Sequence, residues 1–195
     1  ENKNNRPLII AHRGASSIAP ENTFAAFNRA LADGADGIEF DVRLAKDHMP
    51  VVIHDATLQR TAGFSGRVNR YSSAELSKID VGSWFNQKRP AKADKSFTKE
   101  TVPTLPQILD LMRDKEGLIY LEMKCSKDTY EPLVESVASI IESSGMMERV
   151  IIKSFKLAAL EKLRKRLPGA RIAVLFAPKF THLLNSKARL ITKAL

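Results

Sequence analysis

The 195-residue sequence predicts an α/β fold on a parallel sheet, either an open doubly wound sheet or an incomplete (β/α) barrel. Three observations lead there. Apolar runs of four to six residues alternate with stretches of helical periodicity, and strand, helix, strand in strict succession requires parallel strands joined by right-handed crossovers. A composition of 44% hydrophobic and 27% charged residues is that of a globular chain, with enough apolar surface to build a core. No apolar run approaches the roughly eighteen residues that cross a bilayer, so no integral membrane segment is expected.

The elements follow in order. Residues 7–11 read as a strand, and residues 19–33 as a helix with Phe24, Phe27 and Leu31 at i, i+3 and i+7 and Gly34 as its stop. A second strand is expected over 37–43, then a short polar link and a strand-like run over 51–54. Residues 55–99, rich in Ser, Gly, Arg and Lys with one helical piece around 74–79, read as a long excursion outside the core. Such excursions are usually functional or disordered. Alternation resumes with a helix over 104–115, opened by the capping box of Thr104 and Gln107 and closed by Gly117. Further strands are expected over Leu118–Met123, 149–154 and 171–176, and further helices over Tyr130–Ser144, 156–167 and 181–195. The count is five strands plus 51–54, against the eight of a closed barrel. Without an internal repeat or linker, 1–195 is expected to be one domain, with 55–99 as an insertion.

The formal charge of +9 is uneven. Residues 149–195 hold twelve Lys/Arg against the single acid Glu161, or +11, so 1–148 carry about −2. Attraction to nucleic acid or an anionic surface is one reading, and a solvated helix face over 156–166 is the other. No aromatic interleaves with the charges of 156–166, which removes the stacking half of a nucleic-acid signature, so no nucleic-acid partner is expected. The single cysteine, Cys125, permits no intramolecular disulfide and suits a cytoplasmic location. Because the chain opens on Glu1, a periplasmic or secreted location stays open. Nothing in the sequence specifies an oligomeric state.

Chemistry concentrates at strand ends. His12 and His54 follow the apolar runs Leu8-Ile9-Ile10-Ala11 and Val51-Val52-Ile53, at the edge where parallel α/β folds build their sites. Glu39 and Asp41 alternate with Ile38, Phe40 and Val42, so they share one face of their strand, as Glu122 and Lys124 do on theirs. Three carboxylates converging from two apolar strands require compensation. Either Arg13, Arg43 and Lys124 pair with them, or they hold a divalent cation. All-oxygen ligation favours Mg2+ or Ca2+ over zinc. His48, in the polar link, and His182 are expected at the surface. Two imidazoles beside a metal-bound anion suit acid–base catalysis. Phosphodiester cleavage fits this equipment, since it needs charge neutralisation on phosphoryl oxygens, where Arg13 and Lys124 add donors.

These residues fall in a longer pattern. His12-Arg13-Gly14, Pro20-Glu21-Asn22-Thr23, the run from Gly34 through Val42, Val51-Val52-Ile53-His54-Asp55 and Leu58-Gln59-Arg60-Thr61 appear in order. Gly82-Ser83-Trp84-Phe85, Val102-Pro103-Thr104-Leu105, Leu121-Glu122-Met123-Lys124 and Ser154-Phe155 continue it. Over residues 7 to about 177 the sequence resembles the glycerophosphodiester phosphodiesterase family. That resemblance implies a TIM (β/α)8 barrel, lacking its last strands in this chain, with a small inserted region after the second strand that forms the mouth of the pocket. It implies a substrate such as glycerophosphocholine or glycerophosphoethanolamine, cleaved to glycerol 3-phosphate and an alcohol. The substrate's own glycerol hydroxyl would be the first nucleophile, giving a cyclic phosphodiester that water opens. His12 and His54 would be general base and general acid, Glu39, Asp41 and Glu122 the ligands of the divalent cation, and Arg13 and Lys124 the phosphate contacts.

Three departures from the family pattern stand out: Ala45 and His48 in place of the usual Thr and Gly, Met123 in place of a β-branched residue, and no counterpart of the last strands after Phe176. The rival enzyme, a phospholipase D-like hydrolase of lysophospholipids, would need an apolar groove, for which the excursion offers only Phe64, Val68, Tyr71, Trp84 and Phe85. A non-catalytic binding protein on the same fold is the bland alternative, and the five intact core residues argue against it.

Overall fold

A computed structural model of the chain describes residues 6–126 and 129–176 and the backbone of 193–194. Its centre is a sheet of five parallel strands, β1 (Ile10–His12), β2 (Gly37–Leu44), β4 (Leu118–Met123), β5 (Val150–Ser154) and β6 (Arg171–Val174). They lie side by side in chain order, without the reversal that defines a doubly wound sheet. Unreversed order with right-handed crossovers puts every helix on the same face, which is how a barrel wall is made. The doubly wound alternative is thereby excluded.

Strand periodicity divides the two faces. Ile38, Phe40 and Val42 of β2, Ile119, Leu121 and Met123 of β4, and Val150 and Ile152 of β5 are buried in one core. That core is shared with the apolar stripes of α1 (Phe24–Ala32), α5 (Leu105–Met112), α6 (Tyr130–Ser144) and α7 (Leu157–Arg166). The alternate residues carry the polar face described below.

Expected and observed elements agree closely for β4 and α6 and within a few residues for β2, α5, β5, α7 and β6. Four expectations need correction. The first strand starts at Ile10 and not at residue 7, and it includes His12. Helix α1 starts at Phe24 and not at residue 19, because Asn22 adopts a left-handed φ of 59° and Thr23 caps the helix, its Oγ1 accepting from Ala26 N. The run at 51–54 is not a barrel strand: β3 (Pro50–Val52) turns back antiparallel to β2, with Val42 opposite Val52. Finally, the excursion is a folded unit with its own core. It contains α2 (Gln59–Ala62), α3 (Ser73–Leu76) and α4 (Ser83–Lys88). Leu58, Val68, Leu76 and Val81 are buried there with Val51 and Ile53 of the preceding hairpin. Its polar composition hid those widely spaced apolar residues.

The helix expected over 181–195 lies outside the described residues, apart from Lys193–Ala194, which pair as β7 antiparallel to β6. His182 lies outside them as well, and His48 is exposed as expected. Part of the basic surface of α7 is compensated by α6, since Arg166 meets Glu142 at 3.0 Å and Glu135 at 3.4 Å, and Lys162 lies 3.6 Å from Glu131. No described helix is long and apolar enough to cross a membrane.

Candidate active site

The polar face of the sheet gathers at the C-terminal ends of the parallel strands. Asp41 of β2 stands directly across from Glu122 of β4, which is in turn across from Lys153 of β5. Glu39 lies two residues back on the same face of β2, opposite His12 of β1. Glu39, Asp41 and Glu122 are all buried, and one oxygen from each lies within 4.8 Å of the others.

Three cations bear on this triad. Lys124 Nζ approaches Glu122 Oε1 at 2.6 Å and Asp41 Oδ1 at 3.2 Å, Lys153 Nζ approaches Glu39 Oε1 at 2.8 Å, and Arg13 Nε lies 3.2 Å from Asp41 Oδ2. The pairing alternative from the sequence is therefore partly realised, with Lys153 in place of Arg43. Arg43 instead donates through Nε to the His54 carbonyl at 2.7 Å. Despite these ion contacts, Glu39 Oε1, Asp41 Oδ1 and Glu122 Oε1 accept no aligned hydrogen bond. Three buried anionic oxygens of that kind within one small volume form a donor set of the chemistry a hard divalent cation takes.

The second oxygens of Glu39 and Asp41 are fixed by the loop after β1. Arg13, at φ 58°, turns its backbone N–H onto Glu39 Oε2 at 3.0 Å, and Asn22 donates from Nδ2 to Asp41 Oδ2 at 3.0 Å. Burial by itself would raise the Asp41 carboxyl, but the Asn22 hydrogen bond and the charges of Lys124 and Arg13 outweigh it and hold Asp41 below the usual carboxylate range.

The two histidines reach this cluster along one edge of β2. β1 pairs with β2 as far as Glu39, and β3 pairs with the same edge from Leu44 back to Val42. The edge must be shared, because β4 occupies the other one. Running in opposite senses, β1 and β3 bring His12 and His54 toward each other beside Phe40 and Asp41. Ile53 N donates to the Asp41 carbonyl at 3.0 Å and anchors the second approach. His12 has a side chain 66% exposed, with Nε2 3.9 Å from Glu39 Oε2. His54 is half-buried, and its Nδ1 lies 2.7 Å from Asp55 Oδ1.

Asp55 belongs to a chain of alternating charge that sequence reasoning missed. Its other oxygen accepts from Arg60 Nε at 2.5 Å. Arg60 is forked onto Glu21 at 2.6 and 2.9 Å, and Glu21 accepts from Arg13 Nη1 at 3.0 Å. Burial pushes Asp55 and Glu21 up, yet their arginine partners win and both carboxyls sit low. An ionised Asp55 can only accept, so this contact places an N–H of His54 on Nδ1. Lys153 was also missed, although a charge inside the apolar run Val150–Ser154 is the same signal that marked Glu122.

The sequence model of the glycerophosphoryl diester phosphodiesterase family matches residues 12–194. The chain belongs to the glycerophosphoryl diester phosphodiesterase family. A glycerophosphodiester phosphodiesterase of Caldanaerobacter subterraneus is 40% identical over 171 residues, covering 88% of this chain and 67% of the relative. The structure of an Oleispira antarctica phosphodiesterase in complex with the product sn-glycerol-3-phosphate matches with a TM-score of 0.77 at 30% identity, over 86% of this chain and 65% of that one. The glycerophosphodiester phosphodiesterase of Agrobacterium tumefaciens matches with a TM-score of 0.73 at 35% identity, over 86% and 66% of the two chains. The chain thus spans about two thirds of the length of these relatives. Glycerophosphoryl diester phosphodiesterases have the TIM-barrel fold, and the five parallel strands described here form a consecutive run of that barrel's wall.

Proposed function

We propose that this chain is the catalytic domain of a divalent-cation-dependent enzyme that hydrolyses glycerophosphodiesters, such as glycerophosphocholine or glycerophosphoethanolamine, to glycerol 3-phosphate and an alcohol. The observation that carries this reading is the triad of buried carboxylates whose unaligned oxygens lie within 4.8 Å of one another, with a histidine brought in from each side. Glu39, Asp41 and Glu122 would hold Mg2+ or Ca2+, which in such sites neutralises phosphoryl oxygens and stabilises an oxyanion nucleophile. Lys124 and Arg13, both at the rim of the triad, orient the phosphate through charge-assisted contacts. His12, exposed and loosely held, takes the proton of the attacking hydroxyl. His54, whose Nδ1 is fixed by Asp55, delivers a proton from Nε2 to the departing alcohol oxygen. The folded unit of residues 55–99 positions Asp55 and Arg60 and is part of the same domain.

The test is release of the alcohol, choline or ethanolamine, from glycerophosphocholine, glycerophosphoethanolamine and lysophosphatidylcholine, measured for the wild type and for His12→Ala and His54→Ala. Turnover of the two water-soluble diesters that falls at least a hundredfold in each variant is expected. Wild-type turnover in both variants, or cleavage confined to the lysolipid, would overturn the reading.

A further inference from the structure

Two cavities meet at Arg43 and Lys124 and extend from the triad, and the roles given above leave their other cations without a function. The larger, of about 390 Å3, opens beside Glu122 between the ends of β4 and β5 and is lined also by Phe155 and Lys156. The smaller, of about 70 Å3, lies on the other side of the same two cations, against Arg67 and Ser126. Glu122 is the one carboxylate in either lining among the described residues, and it is committed to the triad. Four cations face this space. Of these four, Lys124 meets Glu122 and Asp41, and elsewhere around the site Arg13, Arg60 and Lys153 each meet a carboxylate. Among the described residues no carboxylate forms an ion pair with Arg43, Arg67 or Lys156. Lys156 rests over the Tyr130 ring at 4.9 Å instead, and Arg43 uses Nε on a backbone carbonyl.

Cations that converge on one space repel one another, and in these two linings they outnumber the carboxylates four to one. An anion in the cavity relieves that repulsion. A quaternary ammonium would meet the opposite of what it needs, because Phe155 is the only aromatic residue in the larger lining and it already faces Lys124 Nζ at 6.0 Å.

We propose that Arg43, Arg67 and Lys156, grouped around Lys124, form a second anion subsite that receives an anionic group on the alcohol half of the substrate. Glycerophosphodiesters with a negatively charged alcohol are then preferred over those with a choline-like one. The inference rests on the diesterase reading, because Glu122 and Lys124 belong both to the triad and to the cavity. A diester phosphate held at the triad places one of its arms in the basic space.

The test uses four diesters of glycerol 3-phosphate with a three-carbon alcohol that ends in methyl, trimethylammonium, carboxylate or phosphate. Expected is a kcat/KM at least about tenfold higher for the two anionic diesters, the order of one charge-assisted contact. Arg67→Ala should remove most of that advantage while leaving the methyl-ended diester unchanged, and Arg67→Lys should restore part of it. Equal turnover of all four diesters, or a preference for trimethylammonium, overturns the subsite but leaves the diesterase reading standing. Turnover of none overturns both. Inorganic phosphate titrated against the methyl-ended diester separates the sources of the anion. A non-competitive, Arg67-dependent effect combined with equal turnover of the four diesters would show that the cavity takes a free anion, and would overturn the substrate preference.

Discussion

Asp41 is the residue on which most of the site depends. It is fully buried, yet it meets Asn22, Arg13 and Lys124 at once, and these partners keep it ionised. Replacing Asn22 by Ala removes a donor to that carboxylate and leaves it less compensated, so stability should fall by about 1–3 kcal/mol, and divalent-cation affinity should fall with it as the carboxylate loses its orientation. Thermal melts and a cation titration check the two effects. Asp41, Asp55 and Glu21 all have lowered carboxyl values in the folded chain. Groups of this sign contribute stability that is complete above the unfolded carboxylate range, near pH 4, and is lost as the pH falls through the lower folded values. A melting temperature flat from pH 7 to 5 and dropping below about pH 4 is expected, with a shallower drop in Glu21→Gln. The acids of the triad were legible in the sequence because each interrupts an apolar strand. Glu21, Asp55 and Arg60 were not, since Arg60 and Glu21 are 39 residues apart and their pairing leaves no period to detect.

At the scale of elements, two turns place the groups proposed to be catalytic. After β1, Gly14 at φ 76° brings the backbone against α1, and a Cβ there would lie 2.6 Å from the Ala26 carbonyl carbon. Gly14→Ala should therefore displace the loop that carries Arg13 and Asn22, costing more than about 1 kcal/mol and most of the turnover, as read by melts and by the alcohol-release assay. In the β2–β3 turn, His48 holds φ 63°, a left-handed conformation that favours glycine. His48→Gly should raise stability by about 0.5–1 kcal/mol, because relief of left-handed strain exceeds the added freedom of the unfolded chain, and turnover should stay unchanged. The apolar alternation of residues 51–54 showed a strand but not its direction. Only the tight turn around His48 reveals the hairpin that carries His54 back to the triad.

Across the whole molecule, the unreversed strand order turns a succession of β–α units into a wall with helices on one face and charge on the other. The alternation of elements, the helix-facing core and the strand-end carboxylates were all written in local periodicity. The folded insertion was not, because Leu58, Val68, Leu76 and Val81 are too widely spaced to show a period, and they become a core only when packed on the hairpin. The same architecture concentrates three negative charges in a buried volume, so an occupied triad should stabilise the whole fold by mass action, about 2.7 kcal/mol at a hundred times the dissociation constant. The decisive measurement is diester turnover of chelator-treated protein as Mg2+ or Ca2+ is added back, for the wild type and Asp41→Asn. Turnover absent in chelator and restored saturably in the wild type, with Asp41→Asn inactive at every concentration, is the expected result. Undiminished turnover of the wild type in excess chelator would contradict the account.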